Sequence, residues 1–311
     1  MKRLLKFFIA FSLLGTTVAL VLGYLSFLHP LFDSMSHFRI HLLFIWCFLV
    51  LIVVFLQRHT VRYILIVLLI VVGGYITMLL QPYKGELQTT TDAKVIKFMQ
   101  FNLNFRNRHM QRVKEYLEEQ KIEIATFQEV TSKHRQFLEE MKEAYPFQRH
   151  CKFAGVGDVA ILSKYPFVES QGGCVKEEGL VWARVQFGEG ELSVASLHLH
   201  WPYPYKHHSQ ISRLEKAFAK IPSPKIIAGD FNAAPWSYAV KRVMKASDTK
   251  VVEGIRWSLN IGDPSSFVHM QIPIDHILLS KEFGLKDIHV GKSLGSDHFP
   301  IISEIVFQKK R

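Results

Sequence analysis

The chain has 311 residues, 49% of them hydrophobic, with 38 Lys and Arg against 27 Asp and Glu for a formal net charge of +11. Its three cysteines, Cys47, Cys151 and Cys174, are too few for a disulfide-framework fold, and no dense Lys/Arg run of the kind that forms a nucleic-acid arm occurs. The apolar residues are so unevenly spread that a uniformly soluble chain is excluded.

Apolar stretches at residues 4–28, 40–56 and 63–80 are each long enough to cross the ~30 Å hydrocarbon core as a helix, so residues 1–82 read as a membrane anchor with three transmembrane helices. The first is longer than a secretory signal core, has no clear small-residue cleavage site after it, and is followed by two more spans. Lys2, Arg3 and Lys6 precede the first span and Arg58 and Arg62 lie between the second and third, so those ends are expected in the cytoplasm. An odd number of crossings then places the rest of the chain on the periplasmic or extracellular side of a plasma or inner membrane. Arg39 and Lys84 run against that bias.

Residues 83–94, with Gly85 and the run Thr89–Thr90–Thr91, read as a tether. From Pro82 onward, 32 basic residues face 26 acidic ones, which suits an anionic partner without specifying one. Cys151 and Cys174 share this part of the chain; a bridge between them and two separate thiols are both compatible with the sequence.

From residue 95 to 311 the periodicity alternates between strand and helix. Strands are expected over Val95–Phe101, Ile122–Phe127, Val159–Leu162, Leu180–Phe187, Glu191–His198, Lys225–Ala228, Ile274–Leu279 and Ile301–Phe307. Helices are expected over Arg108–Glu119, Ser132–Lys142, His208–Ala219 and Ser237–Ala246, giving one α/β domain.

Polar residues collect where the apolar strand-like runs end. Asn102 and Asn104 follow the first, Glu129 the second, His198 and His200 the run before Trp201, and Asp230 and Asn232 the run Ile226–Ala228. Asp275–His276 and Ser296–Asp297–His298 complete the set. Phosphoester hydrolysis needs charge on the phosphoryl oxygens neutralised, a water activated and the leaving oxygen protonated, which carboxylates, amides and imidazoles supply. Glu129 and Asp297 are hard oxygen donors suited to Mg²⁺ or Mn²⁺. Taken singly, each has a structural explanation: a turn for Asn102 and Asn104, a helix start for Glu129, a capped strand for Asp275.

In this order, Asn102, Glu129, His198, Gly229–Asp230–Phe231–Asn232, Ile274–Asp275–His276 and Ser296–Asp297–His298 resemble the endonuclease/exonuclease/phosphatase superfamily over the whole chain after the tether. The resemblance implies a four-layer α/β sandwich, two packed mixed β-sheets flanked by helices, with the site at one rim. It implies metal binding by Glu129 and Asp297 with Asn102, water activation by Asp230, phosphate contact by Asn232, and an Asp275–His298 dyad. His198 would face that dyad and assist the leaving oxygen as a protonated imidazole. Asn104 stands where some members have an aspartate, which favours one metal over two, and His200 is a further candidate without a firm role.

Trp201, Tyr203 and Tyr205 form a candidate substrate loop, able to stack on bases, to sit at a lipid interface, or to pack as a rigid Pro-rich turn. The expected activity is a metal-dependent phosphodiesterase acting on nucleic acid. Hydrolysis of phospholipid, sphingomyelin or inositol phosphate is the alternative, and a catalytically silent binding module a further one. The bilayer is the expected partner beside the substrate, and no protein partner is expected.

Overall fold

A computed structural model describes residues 2–56, 60–79, 94–153, 155–262 and 269–307. The tether expected at residues 83–94 lies outside them except for Lys94.

The N-terminal part comprises α1 (Lys2–Tyr24), α2 (Pro30–Ser36), α3 (Arg39–Leu56) and α4 (Thr60–Leu79), of which α1, α3 and α4 are long and apolar enough to cross a membrane. The first helix stops at Tyr24 and residues 25–28 form turns, after which Pro30, with His29 extended before it (φ −154°, ψ 142°), starts a new helix at its own N-terminal position. That short helix, α2, is an addition to the elements expected from the sequence.

The remaining elements are β1 (Lys94–Asn102), α5 (Met110–Glu119), β2 (Ile124–Val130), α6 (Ser132–Glu140), β3 (Phe147–Cys151), β4 (Asp158–Ser163), β5 (Phe167–Val175) and β6 (Leu180–Phe187). They continue with β7 (Gly190–His198), α7 (His207–Lys220), β8 (Lys225–Asp230), α8 (Tyr238–Ser247), β9 (Lys250–Val251), β10 (Leu259–Ile261), β11 (Met270–Ile272), β12 (Asp275–Leu279), β13 (Phe283–Val290) and β14 (Ile301–Phe307). Two six-stranded sheets result, ordered β13-β14-β1-β2-β4-β3 and β5-β6-β7-β8-β12-β9, with β10 and β11 as a separate hairpin. Both sheets are mixed, since β1–β2 and β7–β8 are parallel and their other pairings antiparallel.

Strand alternation sorts the apolar residues into three layers of core. Ile96, Phe98, Ile124, Ile161, Val194, Ile226 and Ile277 meet between the sheets. Met99, Phe101, Ala125 and Phe127 point the other way and pack with Val113, Tyr116 and Leu117 of α5 and Phe137 and Leu138 of α6. Leu197, Ile227 and Leu278 do the same with Ile211, Leu214 and Phe218 of α7 and Val240 and Val243 of α8. Each helix buries one stripe at i, i+3, i+4 spacing, and the product is the expected four-layer sandwich.

Cys151 and Cys174 are joined, with Cα atoms 5.4 Å apart, and the bridge ties β3 at the edge of one sheet to β5 at the edge of the other. Closing a loop between residues separated by 23 positions corresponds to about 3 kcal/mol of chain entropy. Reduction by a phosphine is therefore expected to lower the unfolding free energy of the α/β domain by about that amount; an unchanged denaturation midpoint would show the bridge to be mechanically idle.

Candidate active site

Strand register brings the site together. In the second sheet β7, β8 and β12 are neighbours, and the register pairs Asp230 with His198 on one side and with Asp275 on the other. All three are on the inward face that carries Val194, Ile226 and Ile277 below them. One position along β12, His276 takes the opposite face, where its Nε2 hydrogen-bonds Ala233 O at 2.7 Å; burial lowers its pKa to about 4, and it remains a neutral structural histidine.

From the first sheet, β1 delivers Gln100 and Asn102, and the segment before β14 delivers Asp297 and His298. Gln100 Nε2 donates to Asp275 Oδ1 at 2.9 Å and Asn102 Nδ2 to Asp230 Oδ2 at 3.0 Å, while Gln128 Nε2 donates to Ser196 Oγ at 3.0 Å. The apolar core between the sheets thus ends in a ladder of cross-sheet amide bonds that holds the carboxylates in place. Gln100, Gln128 and Ser258, whose Oγ accepts from Asp275 N at 3.1 Å, are absent from the sequence-based set. The available signal was a glutamine at an inward position of each otherwise apolar strand.

Glu129 reaches the rim by breaking the alternation. By period it belongs on the helix side with Phe127, but the register of β2 against β4 shifts between Phe127 and Val130, and Glu129 sits at φ 57°, a left-handed conformation that costs a non-glycine residue about 1 kcal/mol or more. Its carboxylate turns to accept from Asn102 Nδ2 (3.2 Å) and Phe105 N (2.8 Å). Gly157 makes room for the bulge, since a Cβ there would lie 2.6 Å from the Glu129 carbonyl carbon. Asn104 and Asn232 also have positive φ, so strain gathers at this rim.

Asp230 is the centre. Its Oδ2 lies 3.5 Å from His198 Nε2 and 3.8 Å from His298 Nε2, and its Oδ1 accepts from Asn232 N at 2.8 Å. His298 Nδ1 donates to Asp275 Oδ2 at 2.7 Å, the expected dyad geometry. Burial alone would depress the pKa of His298, but Asp275, then Asp230 and Asp297, push it up to about 10. Burial would likewise raise Asp275, yet the charge and hydrogen bond of His298 hold it below the ordinary carboxylate range. Burial and then Asp275 push Asp230 up to about 8, against the pull of His298.

His198 departs from expectation. Burial, reinforced by the charge of His298, lowers it to about 3, so it is neutral rather than the protonated acid anticipated. Its Nδ1 has no hydrogen-bond partner among the described residues, and neither has Asn232 Oδ1. The amide nitrogen of Asn232 donates to Leu199 O at 2.7 Å, pinning the β8 turn with one of its two N–H groups. His200 stands apart from the cluster, half-buried, with its ring 5.0 Å from that of Phe153, which also contacts His198.

Glu129 and Asp297 approach the cluster from the side. Burial raises the pKa of Glu129, with Asp297 adding to the effect against the Phe105 N–H, Asn102 and His298. Asn104 Nδ2 donates to Asp297 Oδ1 at 2.7 Å and Asn104 Oδ1 accepts from Arg106 N. Asn102 Oδ1 accepts from Asn104 N, so both amides meet the carboxylates as donors, and Asn102 Nδ2 bridges Glu129 and Asp230. Two hard carboxylates, one of them raised in pKa by the other's charge, fit a divalent ion such as Mg²⁺ or Mn²⁺. The donors of Asp230, Asp275 and His298 also lie within 4.8 Å of one another, but the imidazolium there already supplies the positive charge.

Residues 99–298, which span every one of these positions, match the sequence profile of the Endonuclease/Exonuclease/phosphatase family. The chain belongs to that family. Its fold is shared with solved structures, among them the endonuclease/exonuclease/phosphatase from Bacteroides vulgatus, at TM-score 0.57 and 15% identity over 69% of this chain and 100% of that one. TDP2 of D. rerio, complexed with a single-strand DNA product, superposes at TM-score 0.56 and 17% identity over 68% of this chain and 99% of that one. A family protein from Bacteroides thetaiotaomicron gives 0.52 and 19% over 70% and 100%. No curated protein matches the chain in sequence. The endonuclease/exonuclease/phosphatase domain is thus a phosphoesterase scaffold, here on a chain with three helices long and apolar enough to cross a membrane.

Proposed function

We propose that the chain is a membrane-anchored, Mg²⁺- or Mn²⁺-dependent phosphodiester hydrolase. The observation that carries this reading is the pair of imidazole Nε2 atoms, 3.5 and 3.8 Å away, that face one oxygen of the buried Asp230. Asp230 takes the proton of an attacking water. His298, kept charged by Asp275, neutralises the phosphoryl oxygens, and Asn232 offers its free N–H beside it. His198, neutral in the resting site, is the group whose pKa a bound phosphate anion raises, so that it gains a proton for the leaving oxygen only with substrate present. Glu129 and Asp297 would hold the metal, with Asn102 and Asn104 orienting them, and when bound it would supply Lewis-acid stabilisation of the phosphoryl charge.

Two observations support an active site outside the cytoplasm. The bridged Cys151 and Cys174 suit an oxidising compartment. The segment between α1 and α3 packs on the catalytic domain, so both stand on one side of the spans, as three crossings with cytoplasmic Lys2, Arg3 and Lys6 require. The basic balance fits an anionic phosphodiester, whether polynucleotide, as in the DNA-bound TDP2 fold relative, or lipid headgroup.

Full-length protein in detergent micelles, assayed on bis(p-nitrophenyl) phosphate, is expected to turn over with Mg²⁺ or Mn²⁺ and to stop with EDTA, and Glu129→Gln is expected to shift the metal requirement upward. Turnover indifferent to EDTA would sink the metal-dependent reading. The rate is expected to climb with pH as Asp230 ionises near 8 and to fall as His298 deprotonates near 10. A profile flat from about pH 6 to 9 would remove Asp230 as the base.

A further inference from the structure

Three loops that border the catalytic cluster also touch the anchor. β7 ends at His198, and the loop after it carries Tyr203, whose ring lies 5.6 Å from that of His29, before α7 begins and presents His208, whose Nε2 is 3.0 Å from Asp33 Oδ2. The loop after β8 that carries Asn232 continues to Trp236, whose Nε1 donates to Ser36 O at 2.7 Å and whose ring lies 5.7 Å from the Arg39 guanidinium. The loop before β10 supplies Trp257, 5.5 Å from His41 on α3. The catalytic rim therefore faces the bilayer end of the molecule.

Between α3 and the β10–β11 hairpin runs a groove of about 290 Å³, walled by Ile40, His41 and Phe44 on one side and Trp257, Met270 and Gln271 on the other. One wall is the beginning of a helix apolar enough to span the membrane, so hydrocarbon is what reaches it. The other wall runs directly into the catalytic cluster. Ser258, next to Trp257, accepts from Asp275 N, and Leu259 bridges to His298. With Ile40, Phe44 and Met270 in the groove and the charged cluster on the far side of Trp257, the arrangement has the polarity of an amphiphile. A second surface agrees with this: Trp201, Tyr203 and Tyr205 are exposed, as are Phe27 and Leu28 just beyond the end of α1, and such aromatics favour the headgroup layer.

We propose that the groove between α3 and the β10–β11 hairpin binds the hydrocarbon tail of a membrane amphiphile whose phosphodiester headgroup is the substrate. This rests on the hydrolase reading above and names the substrate class for it. The headgroup bends from the groove past Trp257 to His298, while the Trp201–Tyr205 loop seats in the same leaflet. Polynucleotides, which carry no tail, gain nothing from the groove.

The test uses full-length protein reconstituted in vesicles of phosphatidylcholine, phosphatidylethanolamine, phosphatidylglycerol and sphingomyelin, doped with a phosphatidylcholine carrying a diazirine in its tail. Illumination is expected to label Trp257 or Met270 in the catalytic domain, and Met270→Glu is expected to lower headgroup release relative to bis(p-nitrophenyl) phosphate turnover at least tenfold. Absence of label at both residues, or cleavage of single-stranded DNA and soluble diester with vesicle lipid untouched, would overturn the groove. Label at those residues with no EDTA-sensitive turnover of any phosphoester would keep the groove and remove the hydrolase, so the two failures are told apart.

Discussion

Replacing His298 with alanine is expected to lower turnover of a soluble phosphodiester by about 10³-fold or more, because the variant loses a fixed positive charge in a water-poor site. The same change leaves Asp275 buried and unpaired, which costs about 3 kcal/mol at neutral pH. Adding Asp275→Asn removes that stranded charge, so the double variant is expected to recover most of the melting temperature and none of the activity. Recovery of both, or near-wild-type turnover in His298→Ala alone, would rule out the dyad. The stability effect has a defined pH window. His298 titrates at about 10 in the folded chain and near 6.5 unfolded, so its contribution is complete below about 6.5 and is lost as pH rises toward 10. Asp275, held below its ordinary value, contributes above about 4 and loses that contribution as pH falls through its lowered folded value. Wild type and His298→Ala are therefore expected to differ most in stability between about pH 4 and 6.5.

The second large effect belongs to Asp33, far from the catalytic cluster in sequence and chemistry. Its carboxylate is buried and accepts from Tyr238 N at 2.7 Å and Ala239 N at 3.0 Å, the first two amides of α8, while Ser237 Oγ takes Val240 N. A residue between two helices long and apolar enough to cross a membrane thus caps a helix of the α/β domain, with the helix dipole and His208 both favouring its charge. Burial would raise its pKa, but His208, His37 and the two amides outweigh it and hold it low. Asp33→Ala strips α8 of two amide partners and leaves His208 without its acceptor, at an expected cost of about 3 kcal/mol. Hydrogen exchange at Tyr238 and Ala239 should accelerate, and the full-length protein should melt earlier. Unchanged exchange at both amides would mean that the interspan segment does not dock. The contribution is present above about pH 4 and lost as pH falls through the lowered folded value, so the difference between Asp33→Ala and wild type should shrink in acid.

These two residues mark how far the sequence reached. His298 was legible within Ser296–Asp297–His298, as Asp230 was within Gly229–Asp230–Phe231–Asn232, because each motif combines reactive side chains with a strand end. Asp33 carried no motif, being one acid in an apolar region, and its partners His208 and Tyr238 lie 175 and 205 positions away in the chain.

The sequence by itself determined the three long apolar helices, the central strands and the chemical inventory. β1, β2, β4, β6, β7, β8, β12 and β14 are covered on both faces, so their composition is nearly all apolar and announces them. The edge strands β3, β5, β9 and β13 escaped notice because one margin of each meets water and their residues are mixed, as in the half-exposed Phe167–Val175. Tertiary structure alone decided which neighbours the inventory would have. Strand register set Asp230 between His198 and Asp275, and alternation turned Asp275 inward and His276 away. A bulge carried Glu129 off its expected face to the rim. Those outcomes depend on pairings between strands distant in the chain, and on burial and charge that shift His198 and His298 in opposite directions. Local residue patterns encode neither, because hydrogen-bond register and desolvation exist only once the sheets have packed.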